Sequence, residues 1–164
     1  MLLFCTVGTT AFDDLVALLL RPASLVAVRQ LGYTRLVVQV GRGVNAEPPA
    51  ADVPAGLAVE VYDFKPSLAA DVAAADLVVS HAGAGSIMEA LRAGKRLVVV
   101  VNEALMGNHQ SELAEALGEA GHLRHATCDT FLSVLTCAGD ELKAYPDADP
   151  GAFAALLDSE MGAV

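Results

Sequence analysis

Apolar residues in this chain come in short, nearly unbroken runs separated by longer amphipathic stretches, and the alternation continues from end to end. Residues 1–7, 36–40, 77–80 and 97–101 hold few polar side chains, so a strand at each would be apolar on both faces. Such strands belong inside a parallel sheet covered on each side by helices. Ala58–Tyr62 reads as a further strand and 122–125 as a short sixth at an edge, with His122 and His125 as surface residues.

Helical spacing occupies the intervals. It predicts helices over 12–20 and 22–31, with Pro22 in a first turn and Gly32 as the terminating glycine. Pro66 would open another that runs to residue 75. A helix after Ser86 closes at Gly94, and one following the loop to Asn108 runs to Ala120 and closes at Gly121. Two more are expected at 129–137 and 150–161. The 41–56 stretch, rich in Gly, Pro and Ala, is the most loop-like. The pattern predicts a doubly wound α/β fold with a parallel sheet, one domain over residues 1–164, with residues 128–164 supplying C-terminal helices.

In such a fold ligands sit beyond the carboxyl ends of the strands, beside helix N-termini. Attention therefore falls on the loops at 8–10, 41–43, 63–66, 81–86 and 102–110. In the 81–86 loop, His81-Ala82-Gly83-Ala84-Gly85-Ser86 leads from a buried strand into a helix. Open backbone N–H groups and the helix dipole there suit a phosphate, and the glycines let it approach. The alternative is a tight turn in which Ser86 only caps its helix. Glu89 follows Ser86 by three residues, so it either completes a capping box or reaches a ribose hydroxyl pair. Gly8-Thr9-Thr10 is a second candidate anion loop.

Asn102, Glu103, Asn108, His109 and Gln110 cluster after the very apolar 97–101 run. They can read sugar hydroxyls, with His109 able to stabilise a leaving phosphate; alternatively Asn108 is a helix cap and its neighbours are solvated. The glycine spacing is neither a nicotinamide fingerprint nor a Walker A loop. No zinc spacing and no G-x-S-x-G nucleophile motif occur in the sequence.

Charge narrows the options. The 164 residues carry 10 Lys+Arg against 20 Asp+Glu, a net charge of −10, which disfavours nucleic acid and unaided binding to anionic lipid. Mean hydropathy is high at +0.49, yet no apolar run approaches the roughly 20 residues that a spanning helix needs. No signal-peptide pattern opens the chain. Three cysteines (Cys5, Cys128, Cys137) without ligand spacing suit free thiols in a reducing cytosol.

Taken in order, the loops resemble a known family. Thr6-Val7-Gly8-Thr9-Thr10, Gln39-Val40-Gly41-Arg42-Gly43, Tyr62-Asp63-Phe64-Lys65-Pro66-Ser67-Leu68, the segment 75–86, Val101-Asn102-Glu103 and Asn108-His109-Gln110 carry the likeness. Together they resemble the catalytic, donor-binding subunits of the eukaryotic dolichol-pathway UDP-GlcNAc transferases. Those subunits are similar to the C-terminal half of the bacterial peptidoglycan GlcNAc transferase, a Rossmann-like domain of the GT-B class. Arg96 departs from the family's usual proline after Gly94-Lys95.

The resemblance implies transfer of GlcNAc from UDP-GlcNAc to GlcNAc-diphosphodolichol, β1,4 with inversion, at the cytosolic face of the endoplasmic reticulum. It implies that Gly8, Thr9, Thr10 and Gly83, Ala84, Gly85, Ser86 contact the diphosphate, with His81 alongside. The backbone at Phe64 and Lys65 would face uracil, and Glu89 the ribose. Asn102, Glu103, Asn108, His109 and Gln110 would surround the sugar, with His109, Gln110 and Glu89 the catalytic set. UDP-GlcNAc is then the donor substrate; no permanently bound cofactor and no metal is expected. A membrane-anchored partner would bind the lipid-linked acceptor, since the chain has the length of one half of a two-domain transferase. A non-catalytic, UDP-sugar-binding scaffold is the other reading.

Overall fold

The computed structural model describes residues 1–45, 47–102, 109–137 and 142–146. In chain order the strands are β1 (Leu2–Thr6), β2 (Arg35–Gln39), β3 (Ala58–Tyr62), β4 (Leu77–His81), β5 (Arg96–Val101) and β6 (Arg124–Thr127). The helices are α1 (Asp13–Leu19), α2 (Pro22–Gln30), α3 (Ala69–Ala74), α4 (Ala84–Arg92), α5 (His109–Glu119) and α6 (Phe131–Thr136). All five strand pairings are parallel, in the order β3-β2-β1-β4-β5-β6. The order reverses at β1, between β2 and β4, which is where a doubly wound sheet opens a ligand crevice.

The unbroken apolar runs have a direct cause. Leu3 and Cys5 of β1 face one core with Leu15, Leu19, Leu25, Val28 and Phe131, from α1, α2 and α6. Leu2 and Phe4 face the other, with Val72, Ile87, Leu91 and Ala114 from α3, α4 and α5. Each central strand is thus buried on both faces, whereas β3 at one edge is only partly covered. Cys5 lies in β1 with no exposure; burial pushes its thiol pKa up to about 12.

Three helices stop in the same way. Gly32, Gly94 and Gly121 take positive φ values of 90°, 66° and 84°. Their N–H groups bond back to Arg29, Leu91 and Gly118, and the next residues bond to Val28, Ala90 and Leu117. This is the Schellman closure, and it turns each chain segment sharply into the following strand.

Three elements begin two or three residues later than the spacing predicts. Helix α3 begins at Ala69 rather than at Pro66, because the Ser67 hydroxyl accepts the Ala69 N–H and keeps 66–68 in the loop. β6 begins at Arg124 rather than at 122, since the His122 N–H is already committed to closing α5. α6 starts at Phe131, two residues later than expected, because Thr130 Oγ1 accepts the Thr127 N–H and holds the preceding turn. The helix expected at 150–161 lies outside the described residues. Among the described residues no helix is long and apolar enough to cross a membrane.

Candidate functional site

A cavity of about 480 Å³ lies over the carboxyl ends of β1, β2 and β4. Its walls come from the loops that follow β1 and β3 and from the start of α4: Gly8 and Thr9, then 64–68, then Gly83, Gly85, Ser86 and Glu89. A slightly larger hollow of about 560 Å³ sits by Lys95 and Arg96, at the opposite, amino-terminal end of β5. It lacks the helix N-terminus and strand ends that give the first cavity its chemistry.

Gly83 is the N-cap of α4 and no side chain caps the helix, so the first-turn N–H groups stay open beside the cavity. The capping role of Ser86 is excluded. Ser86 is the third residue of the helix, not its cap, and no capping box with Glu89 forms. Among the described residues neither the Ser86 hydroxyl nor the Glu89 carboxylate has a hydrogen-bond or ionic partner, and both line the cavity. The helix begins three residues earlier than the capping reading requires, which places Glu89 a turn and a half inside it.

His81, the last residue of β4, packs its ring between the two glycine loops. A Cβ on Gly8 would lie 2.7 Å from His81 Cε1, and one on Gly83 would collide with Nε2. Glycine is required at both places for that close approach. His81 Nδ1 is shut off from solvent without a hydrogen bond of good geometry. Burial holds this imidazole below the usual histidine range, only partly offset by the Thr6 backbone.

The loop after β3 is braced at both ends. Lys65 Nζ donates to both carboxylate oxygens of Asp71, at 3.0 and 2.9 Å, and lies 3.9 Å over the Tyr62 ring. The Tyr62 hydroxyl donates to Asp71 at 2.6 Å. Partial burial would raise the Asp71 pKa, but the Tyr62 and Lys65 hydrogen bonds outweigh it and hold the carboxyl below its ordinary range. Burial and the bond to Asp71 push the Tyr62 phenol well up. Phe64 remains 67% exposed on the lip of the cavity.

Not every sequence-derived residue gathers here. The Thr10 hydroxyl donates to the Val7 carbonyl at 2.8 Å and is spent on the turn, and Ala84 is not among the cavity's walls. Asn102 lines a separate hollow of about 290 Å³ with Asp14, Arg21 and Asp129. His109 and Gln110 open α5, while Glu103 and Asn108 lie outside the described residues. Among the described residues no three His, Cys, Asp or Glu side chains cluster as a metal site would need. Sequence reasoning gave no site role to Gln39, Ser67 and Leu68, and none to Pro66 beyond its place in the 63–66 loop, yet all four are on the cavity wall. The signal for Gln39 was available: an amide closing an otherwise apolar strand.

A parallel sheet in this order, with the cleft at its switch point, defines a Rossmann-like domain of the type found as the C-terminal half of GT-B glycosyltransferases. Residues 2–140 match the family described as the glycosyltransferase family 28 C-terminal domain. The human UDP-N-acetylglucosamine transferase subunit ALG13 is 52% identical over 136 residues, 83% of this chain but only 11% of that protein. The Yarrowia lipolytica subunit ALG13 is 40% identical over 163 residues, covering 96% of this chain and 83% of that one. A solution structure of ALG13 superposes with a TM-score of 0.68 at 26% identity, covering 95% and 94% of the two chains. Acinetobacter baumannii MurG shares the fold, with a TM-score of 0.62 at 24% identity over 82% of this chain and 39% of its own. The chain belongs to the glycosyltransferase family 28 C-terminal domain family and, within it, to the ALG13 subunits.

Proposed function

We propose that this chain is the donor-binding, catalytic subunit of a two-component transferase that moves GlcNAc from UDP-GlcNAc to GlcNAc-diphosphodolichol, forming a β1,4 bond with inversion. The observation that carries the reading is an uncapped helix N-terminus at the switch-point cavity, with a carboxylate on the same helix, Glu89, that has no partner among the described residues. The open N–H groups of α4 and the Gly8–Thr9 turn take the diphosphate, where fixed dipoles stabilise the charge that develops on departing UDP. Backbone groups at Phe64 and Lys65 take the uracil edge, and Glu89 accepts from the ribose hydroxyl pair. The sugar and its leaving oxygen are assigned to His109 and Gln110. UDP-GlcNAc is bound as substrate, and no resident cofactor takes part.

The lipid-linked acceptor and the base for its attacking hydroxyl are assigned to a membrane-anchored partner, which recruits the chain to the cytosolic face of the endoplasmic reticulum. Catalysis on this side is positioning and electrostatic stabilisation. Labelled-sugar transfer with partner-containing membranes tests the reading: activity should appear only in the mixture. Glu89→Ala in the assembled complex should lower kcat/KM for UDP-GlcNAc by roughly 10- to 100-fold, the worth of one or two charge-assisted hydrogen bonds. Unchanged kcat/KM would remove the ribose assignment. Partner activity that is indifferent to this chain would leave it a scaffold.

A further inference from the structure

We infer that Gln39 is a positioning residue whose buried amide locks the two loops of the donor cavity at a fixed separation. Gln39 ends β2, next to β1 on one side and β3 on the other, and is 1% exposed. Its Nε2 donates to the carbonyl oxygens of Gly8, at 2.8 Å, and Asp63, at 2.7 Å. Its Oε1 accepts from the Thr6 hydroxyl at 2.6 Å, and that same hydroxyl accepts the Gly8 N–H at 3.0 Å. Both amide hydrogens are used, one on the loop after β1 and one on the loop after β3. The orientation is fixed by its partners: a flipped amide would set its oxygen against two carbonyls.

One side chain thus ties together the walls to which the reading above assigns the diphosphate and the base; the ligand assignment rests on that reading, but the tie between the loops does not. Backbone bonds reinforce the junction, since Gly41 N–H donates to the same Asp63 carbonyl at 3.0 Å and Arg42 N–H to that of Thr10 at 2.9 Å. A cleft held at preset width spares a two-ended ligand the cost of ordering it. That advantage exists only for a ligand that spans both loops. A fragment that touches one loop gains nothing from the separation.

The experiment compares the full chain with Gln39→Met, which keeps the length of the side chain and loses all three bonds. Thr6→Val and Thr6→Ser serve as a second pair, removing and retaining the hydroxyl. Amide hydrogen exchange in the ligand-free chain should accelerate by about tenfold or more in residues 8–10 and 63–65 together, with 36–38 and 78–80 still protected. UDP should bind about tenfold more weakly to Gln39→Met and Thr6→Val. Uridine and inorganic pyrophosphate, measured separately, should stay within about twofold, and Thr6→Ser should restore UDP binding. Acceleration in only one loop, or equal losses for UDP and for both fragments, would overturn the inference and leave Gln39 a purely structural residue. If the unaltered chain failed to bind UDP, the functional reading would fall while the exchange result still decided whether Gln39 joins the loops.

Discussion

Single side chains in the cavity do opposite kinds of work. Among the described residues Glu89 and Ser86 are left unpaired where a ligand would lie, while Lys65, Asp71 and Tyr62 satisfy one another and stiffen the wall. His81 belongs to neither group, being a neutral wedge between two glycine loops. Because burial depresses its folded-state pKa, the unfolded chain takes up the proton first as pH falls. Stability from this group is therefore complete above the ordinary histidine value of about 6.5 and is eroded below it. Melting temperatures at pH 7.5 and pH 5.5 should show a drop on acidification that is smaller in His81→Asn; an equal drop would place the sensitivity elsewhere. Gly83→Ala tests the packing itself. Its φ of −75° is ordinary, so the new methyl acts only by displacing the His81 ring, and UDP affinity should fall by about tenfold with little change in melting.

Among the elements, the strands were the most legible, because burial on both faces leaves an apolar run that few other arrangements produce. The glycine closures of α2, α4 and α5 were legible for a similar reason: a left-handed residue is needed and glycine supplies it. Helix starts were harder. Pro66 fits a first turn, yet Ser67 captures the Ala69 N–H and delays α3. The Ser86–Glu89 spacing fits a capping box, yet the helix already starts at Ala84. At α3 the cause is a local hydrogen bond that spacing alone cannot rank; at α4 the spacing left two readings open, and the earlier start of the helix removes the cap. Gln39 went unnoticed as a site element since its three partners lie on β1 and two separate loops.

The turn after β2 offers a controlled comparison with the end of α4. Gly41 and Gly94 have φ values of 59° and 66°, but a Cβ on Gly94 meets open space while one on Gly41 would strike the Thr10 and Gly8 carbonyls. Gly94→Ala should cost about 1 kcal/mol, the strain of a left-handed alanine. Gly41→Ala should cost about 3 kcal/mol or more, since the turn that joins two cavity loops must also move. Denaturant unfolding of the two variants would check the ranking, and equal costs would contradict it.

At the scale of the molecule, charge and topology set the limits. A net charge of −10 repels an anionic bilayer, and four of the ten basic residues, Arg92, Lys95, Arg96 and Lys143, sit at the far pole from the cavity. In flotation at about 0.1 M salt the chain alone should not be retained by phosphatidylserine vesicles. Retention without a partner would count against the recruitment proposed here.

The central place of β1 has a consequence in time. Leu2 pairs with β2 on one side, but its N–H reaches across to Asp76, 74 residues away, and the whole β1–β4 seam must wait for that part of the chain. During synthesis, the strand that becomes the middle of the sheet is left half-zipped while the ribosome delivers everything in between. Non-local parallel pairing of this sort folds slowly and keeps an apolar edge open to chaperones and to aggregation. Cys5 is a clock placed on that seam. Its buried thiol should stay silent to alkylating reagents while the seam is shut, whereas the exposed Cys137 should react at once. The lag before Cys5 becomes protected on refolding would time the closing of the molecule's centre.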